Sequence, residues 1–154
     1  MGLTPSLCRL LILQHKRVHF SGRVVTLGNQ DVWATYEQLK GFFKSLNCPY
    51  QVPKNIIHHT SEFLKDRKEK IAKSFVHAST FFEMMGLTDY LDIDKFEQDK
   101  PVFLHDMNAL IPSELRNRFS LLVDAGTMEH IFDIKQVVCN IVQMIQQYGW
   151  VIHI

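Results

Sequence analysis

Cysteine is scarce in this chain: three in 154 residues, at Cys8, Cys48 and Cys139, odd in number and never in a C-x-x-C pair. That argues against a disulfide scaffold or a structural zinc site and fits a reducing compartment. An excess of one charge is also missing. Seventeen Lys+Arg against 16 Asp+Glu leave a formal net charge of +1, which places no electrostatic demand for a nucleic acid or an anionic membrane as partner. The apolar stretch Leu7–Leu13 is short, broken by Arg9 and not followed by a small-residue cleavage site. Nothing approaches the roughly eighteen uninterrupted apolar residues that read as a membrane span. Repeats and low-complexity tracts are absent. These absences point to a soluble, cytoplasmic protein.

What is present is the composition of a folded domain: 46% hydrophobic and 21% charged residues, outside the range of disordered chains. Residues 1–154 read as a single domain, with an N-terminal helical segment over 1–21, and at this size roughly two-thirds of the extended surface can be buried. Pro5 sits where a helix start tolerates proline, so a helix over 6–15 is expected. The run 22–28, β-branched and closed by Gly28, predicts a buried strand. Apolar residues at Trp33, Tyr36, Leu39, Phe42, Phe43 and Leu46 predict a helix over 32–46, broken by Pro49 and Pro53.

A mixed-charge helix is expected over 55–73, its cluster Asp66 to Lys70 forming a solvated face or, as the alternative, a partner-binding basic patch. Thr80 with Glu83 matches a capping box, and Gly86 is a natural helix stop. Phe81, Phe82, Met84 and Met85 read as core. Short strands are expected over 90–94 and 101–106, and a longer apolar one over 119–124. Asp133 with Gln136 offers another cap. Behind it Ile134, Val137, Val138, Ile141, Val142 and Ile145 form an apolar helix stripe, with Cys139 as a small buried hydrophobe. Gly149 ends that helix, and 150–154 is a final strand. His15 and His19, four apart but leading into a strand, make a poor zinc pair.

Buried apolar strands alternating with helices predict an α/β fold with a mostly parallel sheet covered on both faces. In such sheets ligands sit at the carboxyl ends of the strands, where the strand order reverses. Gly28, the pair Asp92 and Asp94, Asp106 and Asp124 each follow or close a strand, in that order. A single aspartate there is usually a turn or cap residue; the succession is what points to a site.

The run from Arg118 to Phe132, with Val123-Asp124-Ala125-Gly126-Thr127-Met128-Glu129-His130, resembles the fourth-strand region of class I S-adenosylmethionine-dependent methyltransferases. Gln147-Tyr148-Gly149-Trp150-Val151-Ile152 is similar to the family's fifth strand. Tyr90–Asp94 and Leu104-His105-Asp106-Met107-Asn108 resemble its second and third strands, and Gly22–Asp31 takes the place of the first strand and its loop. The resemblance covers most of 22–154 and is best around the fourth strand.

It implies a Rossmann-like three-layer sandwich, a helical insert at about 49–86, and S-adenosyl-L-methionine as cofactor. Leu27, Gly28 and Asn29 would line the cofactor's amino-acid end. Asp92, or else Asp94, would bind the ribose diol, because a carboxylate has two oxygens for two hydroxyl donors. Asp106 would accept from the adenine amino group, Met107 would pack on the ring, and Asp124, Ala125 and Gly126 would close the pocket under the methyl. His130 is the candidate general base or a structural cap, with Glu129 beside it; no metal is implied. Two departures stand out: one glycine, Gly28, where the family has a glycine-rich turn, and an end at the fifth strand where the full fold adds two more.

Three functions follow from these observations. One is a methyltransferase acting on an unidentified acceptor. The second is a non-catalytic relative, whole or a fragment, serving as a binding or assembly module. A nicotinamide-dependent Rossmann enzyme is a distant third, since 28–33 supplies no G-x-G-x-x-G turn. Truncation at the fifth strand would leave 150–154 as an apolar edge, from which self-association is expected.

Overall fold

A computed structural model of the chain describes residues 2–58, 74–97 and 101–154. In chain order its elements are β1 (Gly2–Leu3), α1 (Pro5–Val18), β2 (Val24–Leu27), β3 (Asp31–Thr35), α2 (Tyr36–Ser45), β4 (Phe75–His77), α3 (Ala78–Met84), β5 (Tyr90–Asp94), β6 (Phe103–Leu104), β7 (Phe119–Asp124), α4 (Ile134–Met144) and β8 (Ile145–His153). The chain divides into two compact units. Residues 21–29 and 89–154 make one, and residues 2–20 and 30–88 make the other.

The first unit is built on five strands in the order β6-β5-β2-β7-β8, every neighbouring pair parallel. All four residues of β2 and all six of β7 are buried, the condition that makes strands of parallel sheets read as unbroken apolar runs. On one face Val25, Leu27, Ile93, Leu122, Val137 and Met144 belong to a single hydrophobic cluster, which seats α4 on the sheet. The protein is therefore α/β with a five-stranded parallel sheet. Strand order reverses between β2 and β7, the two strands whose carboxyl ends are Leu27 and Asp124.

The second unit holds a smaller sheet in the order β1-β3-β4, with β1 and β3 parallel and β3 and β4 antiparallel. Its core includes Leu11, Phe43, Phe81 and Phe82, all fully buried. The stretch 49–86, expected as a helical insert, contributes β4 and α3 among its described residues.

Several expected elements are displaced. The helix expected over 32–46 begins only at Tyr36, because Asp31–Thr35 pairs with β1 and β4. β-branched Val32 and Thr35 and aromatic Trp33 suit that strand. Thr35 then starts α2 with a complete capping box against Gln38. Residues 55–58 are not helical, and His58 bridges Val76; the remainder of that expected helix, with the charged cluster at 66–70, lies outside the described residues.

His77, not Thr80, caps α3. Thr80 is buried inside the helix, where its hydroxyl accepts from the Ile57 N–H at 2.9 Å and donates to the Ile57 carbonyl at 3.2 Å. The last helix ends at Met144, five residues before Gly149, and the chain runs directly into β8. That strand pairs Ile145 with Phe119 and Trp150 with Leu121, so a bulge lies between, with Tyr148 at φ +65°. Cys139 is exposed, unlike buried Cys8 and Cys48. Its helix has a buried stripe of Val137, Asn140, Ile141 and Met144, while Ile134, Val138 and Val142 are exposed.

Candidate functional site

The carboxyl edge of the parallel sheet gathers most of the chemistry. Gly28 leaves β2 at φ +74° and Gly126 follows β7 at φ +87°, conformations that cost an L residue roughly 1–2 kcal/mol. The Gly28 N–H donates to the Ile93 carbonyl at 2.7 Å, and the Asn29 N–H donates to Asp94 Oδ2 at 3.3 Å. Both amides of the first loop are thus engaged by β5. Across the reversal point, Thr127 Oγ1 donates to the Leu27 carbonyl at 2.7 Å, which ties the turn after β7 to the end of β2.

The two acids of β5 are sharply distinguished. Asp92 lies inside the sheet, 2% exposed, with Oδ1 accepting from the Val102 N–H at 2.8 Å. Asp94 stands at the strand's carboxyl end, part-exposed, and accepts one amide on each oxygen, from Asn29 and from Phe96 at 3.0 Å. Each oxygen keeps a second lone pair. Of the two, Asp94 has the position and the acceptor capacity for a diol.

Asp106 is exposed in the loop after β6, where Oδ1 accepts from the Asn108 N–H at 2.9 Å and from Asn108 Nδ2 at 2.7 Å. These bonds hold its carboxyl below the usual carboxylate range. Met107 points the other way, into the hydrophobic cluster. His105, one residue before Asp106, has a buried Nε2 without a hydrogen-bond partner among the described residues.

Asp124 is 1% exposed, and several donors converge on its carboxylate. The Thr127 N–H donates to Oδ1 at 2.8 Å, the Met128 N–H reaches both oxygens at 3.3 Å, and His153 Nδ1 meets Oδ2 at 2.7 Å. Ala125 is buried and Gly126 part-exposed behind it. His130 lies in the short 3-10 turn Met128–His130, exposed, its Nε2 3.4 Å from Oε1 of neighbouring Glu129. Its N–H donates to the Thr127 carbonyl at 3.0 Å, but among the described residues its side chain shares no hydrogen bond with the Asp124 cluster.

Two residues of this edge escaped sequence reasoning. Asn140 is fully buried on α4; it accepts from the Ile111 N–H at 3.1 Å and donates to the carbonyls of Met107 at 3.0 Å and Ala109 at 2.7 Å. It thereby fixes the loop that carries Asp106. The available signal was a lone amide on an apolar helix face. His153 had no local signal, since only strand pairing brings it beside Asp124.

Among the described residues no group of three or more His, Cys, Asp or Glu is placed to hold a metal ion, and no helix is long and apolar enough to cross a membrane. No family model matches the chain, and neither the curated proteins nor the solved structures contain a match.

Proposed function

We propose that the chain is an S-adenosylmethionine-dependent methyltransferase domain of Rossmann-like sandwich architecture, acting in the cytoplasm on an unidentified acceptor. The observation that carries this reading is the succession of acids Asp94, Asp106 and Asp124 at the carboxyl ends of β5, β6 and β7, around the strand-order reversal of an all-parallel sheet. Ligands of open α/β sheets bind at that place. The family's sixth and seventh strands have no counterpart among the described residues, so the fold is read in a five-stranded form.

The donor set suits a nucleoside. Asp94 has a spare lone pair on each oxygen for the ribose hydroxyls. Asp106 Oδ2 takes no hydrogen bond among the described residues and suits an amino donor such as that of adenine. Leu27 ends β2 with Gly28 after it, and Ala125 and Gly126 follow β7, the two strands that flank the reversal. The cofactor, when bound, supplies an activated methyl group; the chain's part is to hold the acceptor in line and to exclude water.

Calorimetric titration with S-adenosylhomocysteine tests the reading. Micromolar binding that weakens at least tenfold, about 1.4 kcal/mol, in Asp94→Ala and in Asp106→Ala supports it. A folded sample that binds nothing at millimolar ligand sinks it.

One observation favours a second reading, a methyltransferase-like binding module without turnover. The Gly28 and Asn29 amides and the Leu27 carbonyl are all engaged within the protein, which leaves little bare backbone for a cofactor's amino-acid end. Such a module has an apt surface in β8, the sheet's edge strand, where Tyr148 is 90% exposed and Trp150 and Val151 about half so. Pairing with β8 of a second copy is the association we infer, because an apolar edge strand templates another strand. Light scattering that stays monomeric at high concentration removes it.

A further inference from the structure

We propose that His153 is a proton-accepting catalytic residue of this edge, with Asp124 as its positioning partner. It rests on reading the carboxyl edge as a ligand site, but on no particular cofactor.

The pairing follows from the fold. Asp124 ends β7 and His153 ends β8, and the two are register partners in parallel strands, so their side chains emerge side by side on one face. Asp124 is buried and His153 half-exposed, with 2.7 Å between Nδ1 and Oδ2. The carboxylate is fixed from behind by the amides of Thr127 and Met128, and Thr127 is itself bound to the end of β2. The backbone of the next residue joins the same assembly, as the Ile154 N–H donates to the Asp124 carbonyl at 2.9 Å.

The chemistry follows from donor and acceptor roles. An ionised carboxylate only accepts hydrogen bonds, so Nδ1 of His153 carries the proton of the 2.7 Å contact. The neutral ring then has its lone pair on Nε2, which no hydrogen bond engages among the described residues. A buried acid that fixes ring orientation and tautomer, with the outer nitrogen turned to a ligand, is the arrangement of a general base. A hydroxyl or amine on the β7–β8 side of the reversal can transfer its proton to Nε2. The O–H or N–H bond breaks with its electron pair left on the ligand atom, and the imidazolium that forms is stabilised by Asp124. Among the described residues the His130 ring has only its exposed neighbour Glu129 beside it, Nε2 to Oε1 at 3.4 Å, and lacks a buried acid.

Two measurements on the intact chain test the dyad. Long-range proton–nitrogen NMR reads the tautomer of each of the eight histidines; His153 is expected in the Nδ1–H form, and Asp124→Asn shifts it toward Nε2–H. Diethyl pyrocarbonate probes the same lone pair, because Nε2 attacks its carbonyl carbon and ethyl carbonate departs with the electrons of the broken C–O bond. Followed by mass spectrometry, His153 should react at least about tenfold faster than His130, and Asp124→Asn should remove that advantage.

An Nε2–H tautomer in the unaltered protein, or reaction no faster than at His130, overturns the proposal. Should Asp124→Asn fail to fold, His153→Gln supplies the check, since a fast-reacting histidine that survives that change also overturns it. Titration of the same samples with S-adenosylhomocysteine separates the two conclusions. A fast His153 without cofactor binding removes the cofactor and leaves the dyad; binding with an ordinary His153 does the reverse.

Discussion

The two sheets of this protein contrast in what holds them together. In the five-stranded sheet, β7 contributes six consecutive buried residues and lies hydrogen-bonded between β2 and β8. In the three-stranded sheet, β1 has two residues and β4 three, and β3 mixes buried and part-exposed positions. The first sheet is specified by long apolar runs that have no stable alternative to central strands. The second depends on pairing between segments too short to declare themselves, together with polar contacts inside the unit. Apolar truncation should therefore cost most in the first sheet, whereas the second also leans on single polar partners.

The largest effect should come from Phe119→Ala, which empties a fully buried ring site in β7; unfolding in urea should show a loss of about 3–5 kcal/mol. A cost below about 1 kcal/mol would show that the parallel sheet is not the tightly packed region described. Next, Asn140→Ala strands the Ile111 N–H and the carbonyls of Met107 and Ala109. It should cost about 2–3 kcal/mol, from a usual 1–3 for a buried group left unpaired, and speed hydrogen exchange in 107–111. In the smaller sheet's unit, Thr80→Val keeps the shape but takes the hydroxyl from the Ile57 N–H, while the Ile57 carbonyl keeps the His77 N–H at 2.7 Å. A loss of about 1–2 kcal/mol is expected in the same urea assay, and none would mean that this polar contact adds nothing. Thr35→Ala removes the capping box of α2, for about 1 kcal/mol by thermal unfolding.

The smallest effect is one of pH. Burial, and then the charge of His19, hold the His15 imidazole below its ordinary value of 6.5. The folded state therefore binds its proton less readily than the unfolded state does. Above pH 6.5 both forms are neutral and the contribution is flat; as pH falls below 6.5, stability declines until the folded form is protonated too. Urea midpoints at pH 7.5 and 5.5 should differ less in His15→Gln than in the unaltered chain. An equal difference would remove this histidine from the acid sensitivity.

Legibility along the chain follows the same contrast. β5 and β7 begin and end where the residues predict, because apolar runs bounded by acids and turns leave no competing period. Pro5, Gly86 and the Asp133 cap also act as local chemistry dictates. Residues 32–35 continue the helical spacing of 36–46 in sequence, and only partners on both sides make Asp31–Thr35 a strand. The run into β8 is ambiguous in sequence for a similar reason. Ile145 extends the helix stripe, but pairing with Phe119 takes it into the sheet. Within the candidate site, Asp106 and Asp124 are visible in the sequence as strand-end acids, whereas the burial of Asp92 and the part-exposure of Asp94 follow only from the fold.

By itself, then, the sequence determined the α/β class, the buried strands of the larger sheet and the acids that end them, since burial and turn chemistry are written into local patterns of residue type. The tertiary structure alone decided the strand order, the second sheet and the companionship of Asp124 with His153, residues 29 apart in sequence that meet at 2.7 Å. Pairing between distant strands is a non-local choice among many registers, and no window along the chain contains both sides of it.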